Sequence, residues 1–180
     1  MSDVVSLEIV FDAAAEAVVR REWRLLADAG LPSQARHTGA SNRPHVTLPV
    51  RPRVAAGAAD ALERRLPLPM RLGAPLLFGR VRSRVLARSV VPDAALLDLH
   101  AAVHAWAGSG DDAPHTGVGE WMPHVTLARR VPLARVSEAL LALGAEGGEP
   151  IDARAIGLRR WDAATRTVSH VAGRGTLEPC

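Results

Sequence analysis

The spacing of apolar and polar positions predicts alternating strands and helices along the whole chain. Residues 4–11 (VVSLEIVF) are β-branched and apolar and read as a strand. Asp12 is a candidate N-cap for a helix over 13–29 with Val18, Val19, Trp23 and Leu26 on its apolar side, and Gly30 and Pro32 end it. The polar, turn-rich stretch 33–44 is a loop, followed by a strand at 45–50 and a helix at about 53–66 behind Pro52. Strands are predicted at 70–78 and 81–91, joined near Gly79. Pro92 and Asp93 open a helix running to about Ala107. A second polar loop over 108–123 leads to a strand beginning at His124, and a helix follows at about 132–144. The remaining pattern is a hairpin, 151–161 and 166–173, turning at DAATR. Mixed elements with several antiparallel pairs place the chain in the α+β class.

The pattern repeats itself. Pro44-His45-Val46-Thr47-Leu48 recurs as Pro123-His124-Val125-Thr126-Leu127, and His37-Thr38-Gly39 upstream of the first recurs as His115-Thr116-Gly117 upstream of the second. Both halves therefore read strand, helix, HTG loop, HVTL strand, helix, strand. The best-preserved stretch is polar, whereas a repeat kept only for packing would keep its apolar positions first.

Side chains alternate across a strand, so His45 and Thr47 share one face while Val46 and Leu48 share the other; His124 and Thr126 stand likewise against Val125 and Leu127. If the halves face each other, two imidazoles and two hydroxyls line one cleft. Imidazoles suit acid–base work near neutral pH, and hydroxyls donate hydrogen bonds to the non-bridging oxygens of a phosphate. The set has no carboxylate trio and no thiol, so it calls for no metal and no cofactor. It fits transfer at a phosphodiester, one His taking a proton and the other giving one.

These residues resemble the 2H phosphoesterase superfamily, specifically its LigT-like branch of 2′-5′ RNA ligases and RNA 2′,3′-cyclic phosphodiesterases. The resemblance rests on two His-x-Thr-x motifs 79 residues apart, the second also matching the form PHxTLxR through Arg129. It implies one unit over 1–180 made of two pseudo-symmetric lobes, with two antiparallel-rich sheets flanking a central cleft and helices outside. It implies metal-independent opening of a 2′,3′-cyclic phosphate to a 2′-phosphate, with His45 as proton donor and His124 as acceptor. The substrate would be RNA with a cyclic phosphate end or a small cyclic nucleotide. Ligation of 2′-5′ linkages and a non-catalytic nucleotide-binding module are the competing readings, and no obligate protein partner is called for.

Composition adds to this. The 180 residues are 48% hydrophobic, enough for a core, and no apolar run reaches the roughly 18 residues that span a bilayer. The start has no basic region of the kind that opens a secretory signal, and the single cysteine, Cys180, offers no disulfide partner, so a cytoplasmic protein is expected. All 22 basic residues are Arg, whose planar fork suits phosphate oxygens. Arg130 keeps the parity of His124 while Arg129 keeps the family match, so both are candidate phosphate ligands, and a bulge would reconcile them. Arg80, Arg82, Arg84 and Arg88 share a parity, giving either a basic face toward RNA or a solvated outer face. Trp121 reads as a stacking surface for a base or as a loop anchor; Trp23, Trp106 and Trp161 read as core or lobe-interface residues. His37 and His115 are candidate cleft contacts, in HTG turns whose Gly would supply positive φ. His100 and His104 lie one turn apart on a helix with no third ligand indicated, and Asp111 and Asp112 read as a solvated loop.

Overall fold

The computed structural model describes residues 4–39, 41–54, 57–79, 81–144 and 149–174; Cys180 and Arg80 lie outside these. The strands are β1 (Val5–Phe11), β2 (His45–Arg51), β3 (Leu68–Phe78), β4 (Ser83–Val90), β5 (His124–Pro132), β6 (Ile151–Asp162) and β7 (Thr167–Gly173). The helices are α1 (Ala13–Asp28), α2 (Asp60–Glu63), α3 (Ala94–Ala107) and α4 (Val136–Leu143). Asp12 caps α1 by accepting from the amides of Ala14 and Ala15, and Asp93 caps α3 by accepting from Leu96.

Every strand pairing is antiparallel. One half of the sheet runs β2-β1-β6, extended by β7; the other runs β5-β4-β3. Each half thus takes its third strand from the other half of the sequence. The two halves join at both ends. At one, β2 meets β5 through Val46 opposite Val125; at the other, β3 meets β6 from Leu68 opposite Ala155 to Leu72 opposite Ile151. The architecture is the α+β one with a duplicated element order and helices on the outer faces. Leu7, Ile9, Phe11, Val46, Leu48, Val125 and Leu127 are all buried, with Val19, Trp23 and Leu26 of α1 and Leu96, Leu99 and Val103 of α3 among the residues of the same core.

Three expectations change. The helix expected over 53–66 is only the single turn α2. Its first half contains Gly57, costly inside a helix, and Leu62 is the one buried side chain of the turn that forms. Arg88 belongs neither to a basic face nor to a solvated one. It is fully buried and paired with Glu22 of α1, and it also donates to the carbonyls of Gly73 and Glu149. Both register breaks between β4 and β5 put the extra residue in β5, so Arg88 keeps the parity of Arg84 and stands with Leu86 and Val90 on the buried face of β4. In the HTG turns it is His115, not a glycine, that takes positive φ, at 65°.

Candidate active site

The bridge between Val46 and Val125 centres the site. Carried one residue either way, this antiparallel register puts His45 opposite Thr126 and Thr47 opposite His124. The valines turn into the core at 0% exposure. The four polar side chains therefore share the opposite face, where the two half-sheets meet.

Each histidine is oriented in the same way. His45 Nδ1 lies 2.7 Å from the Arg43 carbonyl, and His124 Nδ1 lies 2.7 Å from the Met122 carbonyl. A carbonyl only accepts, so both Nδ1 atoms carry the hydrogen and both Nε2 atoms are left for chemistry. The carbonyl under His45 is held in turn. Arg43 donates to Glu16 of α1 at 3.0 Å, and Glu16 accepts from Arg20 at 2.8 Å. Asn42 ties the preceding loop together by donating to the carbonyls of Gln34 and His37.

Burial pushes His124 below the ordinary imidazole range, and the positive charges of His45, Arg129 and His115 add to the effect against the opposing pull of the Met122 carbonyl. The Phe78 ring packs on His124 at 4.6 Å. His45 meets a different neighbour. Glu8 of β1 lies 3.7 Å from its Nε2 and is buried against Arg159, whose Nε donates to it at 2.7 Å. Burial alone would raise the Glu8 carboxyl. The charges of His45 and Arg159, with hydrogen bonds from Ser6 and Arg159, outweigh that and hold it below the usual carboxylate range.

A cleft of about 1120 Å³ opens onto His45 and Thr47 and is lined by Glu8, His37, Arg129, Arg159, Trp161, Arg166 and His170 among others. Arg129 reaches it because β5 carries two extra residues opposite β4, one between Ala128 and Val131, with Arg130 at φ 59°, and one between Thr126 and Ala128, which reverses the parity of Arg129. The bulges turn Arg129 to the cleft and leave Arg130 exposed, outside its lining. His37 lines the cleft; His115 does not, though its charge bears on His124. Trp161 is a cleft residue rather than a core one, on the same face of β6 as Arg159.

Trp121 lies behind the motif, not in the cleft. Its indole donates to the Thr47 carbonyl at 2.9 Å, and its ring stacks on His100 at 4.0 Å. His100 and His104 are buried, their Nε2 atoms 3.0 Å apart and both against the Thr116 carbonyl. Asp112 is no solvated loop residue. It accepts from the buried Arg51 at 2.7 Å, and Arg51 also donates to His104 Nδ1 at 3.0 Å. Among the described residues no group of three or more His, Cys, Asp or Glu is placed to hold a metal ion, and no helix is long and apolar enough to cross a membrane.

Sequence reasoning missed Glu8, Arg159 and Trp161. The signal for the last two was their shared parity in the first strand of the terminal hairpin. For Glu8 it was a lone carboxylate inside an apolar run, where a buried charge needs a partner.

The sequence profile of the 2′-5′ RNA ligase superfamily matches residues 33–171. No curated protein matches the sequence significantly. Among solved structures, Kluyveromyces marxianus Usb1 is similar at a TM-score of 0.52 and 13% identity, over 94% of this chain and 98% of that one. The same protein with uridine monophosphate gives a TM-score of 0.49 at the same identity and coverage. At this identity the likeness is one of fold.

Proposed function

The chain belongs to the 2′-5′ RNA ligase superfamily of 2H phosphoesterases, and from that premise we propose that it opens 2′,3′-cyclic phosphates, at RNA ends or in small nucleotides, to 2′-phosphates by metal-independent two-histidine catalysis. The observation that supports this most is the matched tethering of His45 and His124. Each ring has its Nδ1–H fixed on the carbonyl two residues upstream, and each Nε2 is left for the substrate.

In this mechanism the cyclic phosphate sits between the motif strands, its non-bridging oxygens taking hydrogen bonds from the hydroxyls of Thr47 and Thr126 and from Arg129. A water attacks phosphorus in line with O3′. The lone pair on His124 Nε2 takes the water proton as the new P–O bond forms. The P–O3′ bond breaks, its electron pair goes to O3′, and His45 Nε2 supplies the proton that makes the 3′-hydroxyl. His45 ends neutral and His124 protonated, and exchange with solvent restores the pair. The lowered proton affinity of His124 suits it to start neutral. Developing charge on the phosphate oxygens meets donors fixed in advance by the strands. The Trp161 side chain in the cleft offers a face for a base.

The test is a panel of 2′,3′-cyclic nucleotides, RNA with a cyclic phosphate end and 2′-5′ linked dinucleotides, with the position of the product phosphate read out. A 2′-phosphate product is expected. Tight binding without turnover would make the protein a binding module, and a joined 2′-5′ product would make it a ligase.

A further inference from the structure

The two motif histidines are alike in sequence and in tethering, but the strands beside them are not. On β1, Glu8 stands opposite Thr47 and, on its other side, opposite Arg159 of β6. The equivalent residue of β4 is the one opposite Thr126, which is Ala87, and its neighbour on β3 is Leu76. So the same place in the duplicated fold holds a buried ion pair beside His45 and two apolar side chains beside His124.

We propose that Glu8 is a positioning residue that makes His45 the proton donor, and that Ala87 in the equivalent place leaves His124 the proton acceptor. This rests on the two-histidine reading of the site. The Glu8 carboxylate lies 3.7 Å from His45 Nε2, the atom that must hold the proton to be delivered, and it is nearly closed to solvent at 5% exposure. An anion there favours the imidazolium. The ring's other nitrogen is committed to the Arg43 carbonyl, so the charge that Glu8 stabilises is the one on Nε2.

The other charged groups around His45 do not reproduce this. Arg159 of β6 opposes it, with Nη2 3.4 Å from Nδ1. Arg43, on the loop before β2, is engaged by Glu16, and His124 and Arg129 of β5 are cationic or neutral. His37 lines the cleft from its loop. Glu16 is paired with Arg20 and Arg43, so among these groups Glu8 is the carboxylate that reaches Nε2, and Arg159 moderates it while fixing its orientation. His124 faces His45, Arg129 and His115, all of which disfavour its proton, and the Phe78 ring.

The opposed signs of Glu8 and Arg159 make the test. The ring nitrogens of His45 and His124 are followed by NMR against pH in the parent protein, Glu8→Gln and Arg159→Gln, without substrate. In Glu8→Gln, His45 should release its proton at lower pH than in the parent, with His124 little changed. In Arg159→Gln it should release it higher. With a cyclic nucleotide, the basic limb of kcat should follow His45 in each variant while KM stays near the parent value, and Glu8→Asp should restore much of the shift. A merely structural ion pair would lower stability in both variants without moving His45 in opposite directions, and that result, or an unmoved His45, overturns the role of Glu8. If Glu8→Gln does not fold, the direction of the shift in Arg159→Gln decides alone. The titration needs no substrate. A missing shift therefore counts against Glu8 even where turnover is found, and a full shift with no turnover counts against the proposed reaction.

Discussion

Trp121, packed against the core, donates its indole N–H to the backbone carbonyl of Thr47 at 2.9 Å. The other half does the same by another route: Trp23 of α1 donates to the Thr126 carbonyl at 3.0 Å. Each motif threonine is thus pinned through its own peptide by a tryptophan. Trp121→Phe or Trp23→Phe keeps most of the ring but leaves that carbonyl without its donor. We expect each to cost about 1 kcal/mol of stability, measured by chemical denaturation, and to lower turnover more than binding. Unchanged stability in both would mean that these bonds do not hold the motif.

The threonine hydroxyls are expected to act in the transition state rather than in holding the strand. Thr47→Ala and Thr126→Ala should each lower kcat by about 10- to 1000-fold, and replacement by Ser should be milder because the hydroxyl survives. Full activity in both Ala variants would remove the hydroxyls from the phosphate.

Much of this arrangement was legible from period alone. HVTL places His and Thr on one face and Val and Leu on the other wherever it is a strand, and a duplicated motif centred on Val46 and Val125 can meet across a pseudo-twofold axis. What period cannot report is register and partners. Arg129 reaches the cleft only because an extra residue in β5 reverses the parity that favoured Arg130. Arg88 looked like one more strand arginine because its partner, Glu22, lies 66 residues away on the polar-looking side of a helix that the fold buries. Asp112 looked solvated until Arg51 was brought to it.

That burial makes the Arg88–Glu22 pair a stability determinant. Both side chains are 0% exposed. Arg88→Met strands a carboxylate in the core and should cost about 3–5 kcal/mol, whereas Arg88→Met combined with Glu22→Leu should recover most of the loss. Thermal or urea unfolding of the single and double variants checks this, and equal destabilisation in both would show that the pair is not the cause.

The histidine pair behind β2 predicts acid sensitivity. Burial, with the neighbouring His104, pushes His100 down to about 4, and burial also lowers His104. The unfolded chain binds these protons near pH 6.5. A lowered folded value means that the unfolded state takes up protons first, so the contribution to stability is complete above about pH 6.5 and is lost as pH falls toward 4. Unfolding free energy measured across this window should decline, and His100→Gln should flatten part of the decline. A parent profile that stays level from pH 7 to 4 would contradict the assignment.

The rate should follow a bell in pH and should not need a metal. Only one microstate of the pair is productive, with His124 neutral and His45 protonated, so both limbs belong to the coupled pair. Turnover on the acid side is lost when His124 gains a proton. Burial and three neighbouring cationic groups lower its proton affinity, so the acid limb should lie below the ordinary imidazole range. The Thr47 and Thr126 hydroxyls and Arg129 offer donors to the phosphate oxygens, so activity on a 2′,3′-cyclic nucleotide should survive exhaustive treatment with EDTA. It should fall about 10²- to 10⁴-fold in His45→Ala and in His124→Ala, each of which removes one proton transfer. Combining the two substitutions should cost less than the product of the single losses, because the first already disables a step the second serves. Activity abolished by EDTA and restored by a divalent ion would replace the two-histidine mechanism with a metal-assisted one, and His100 and His104 would then be the first residues to test as its ligands.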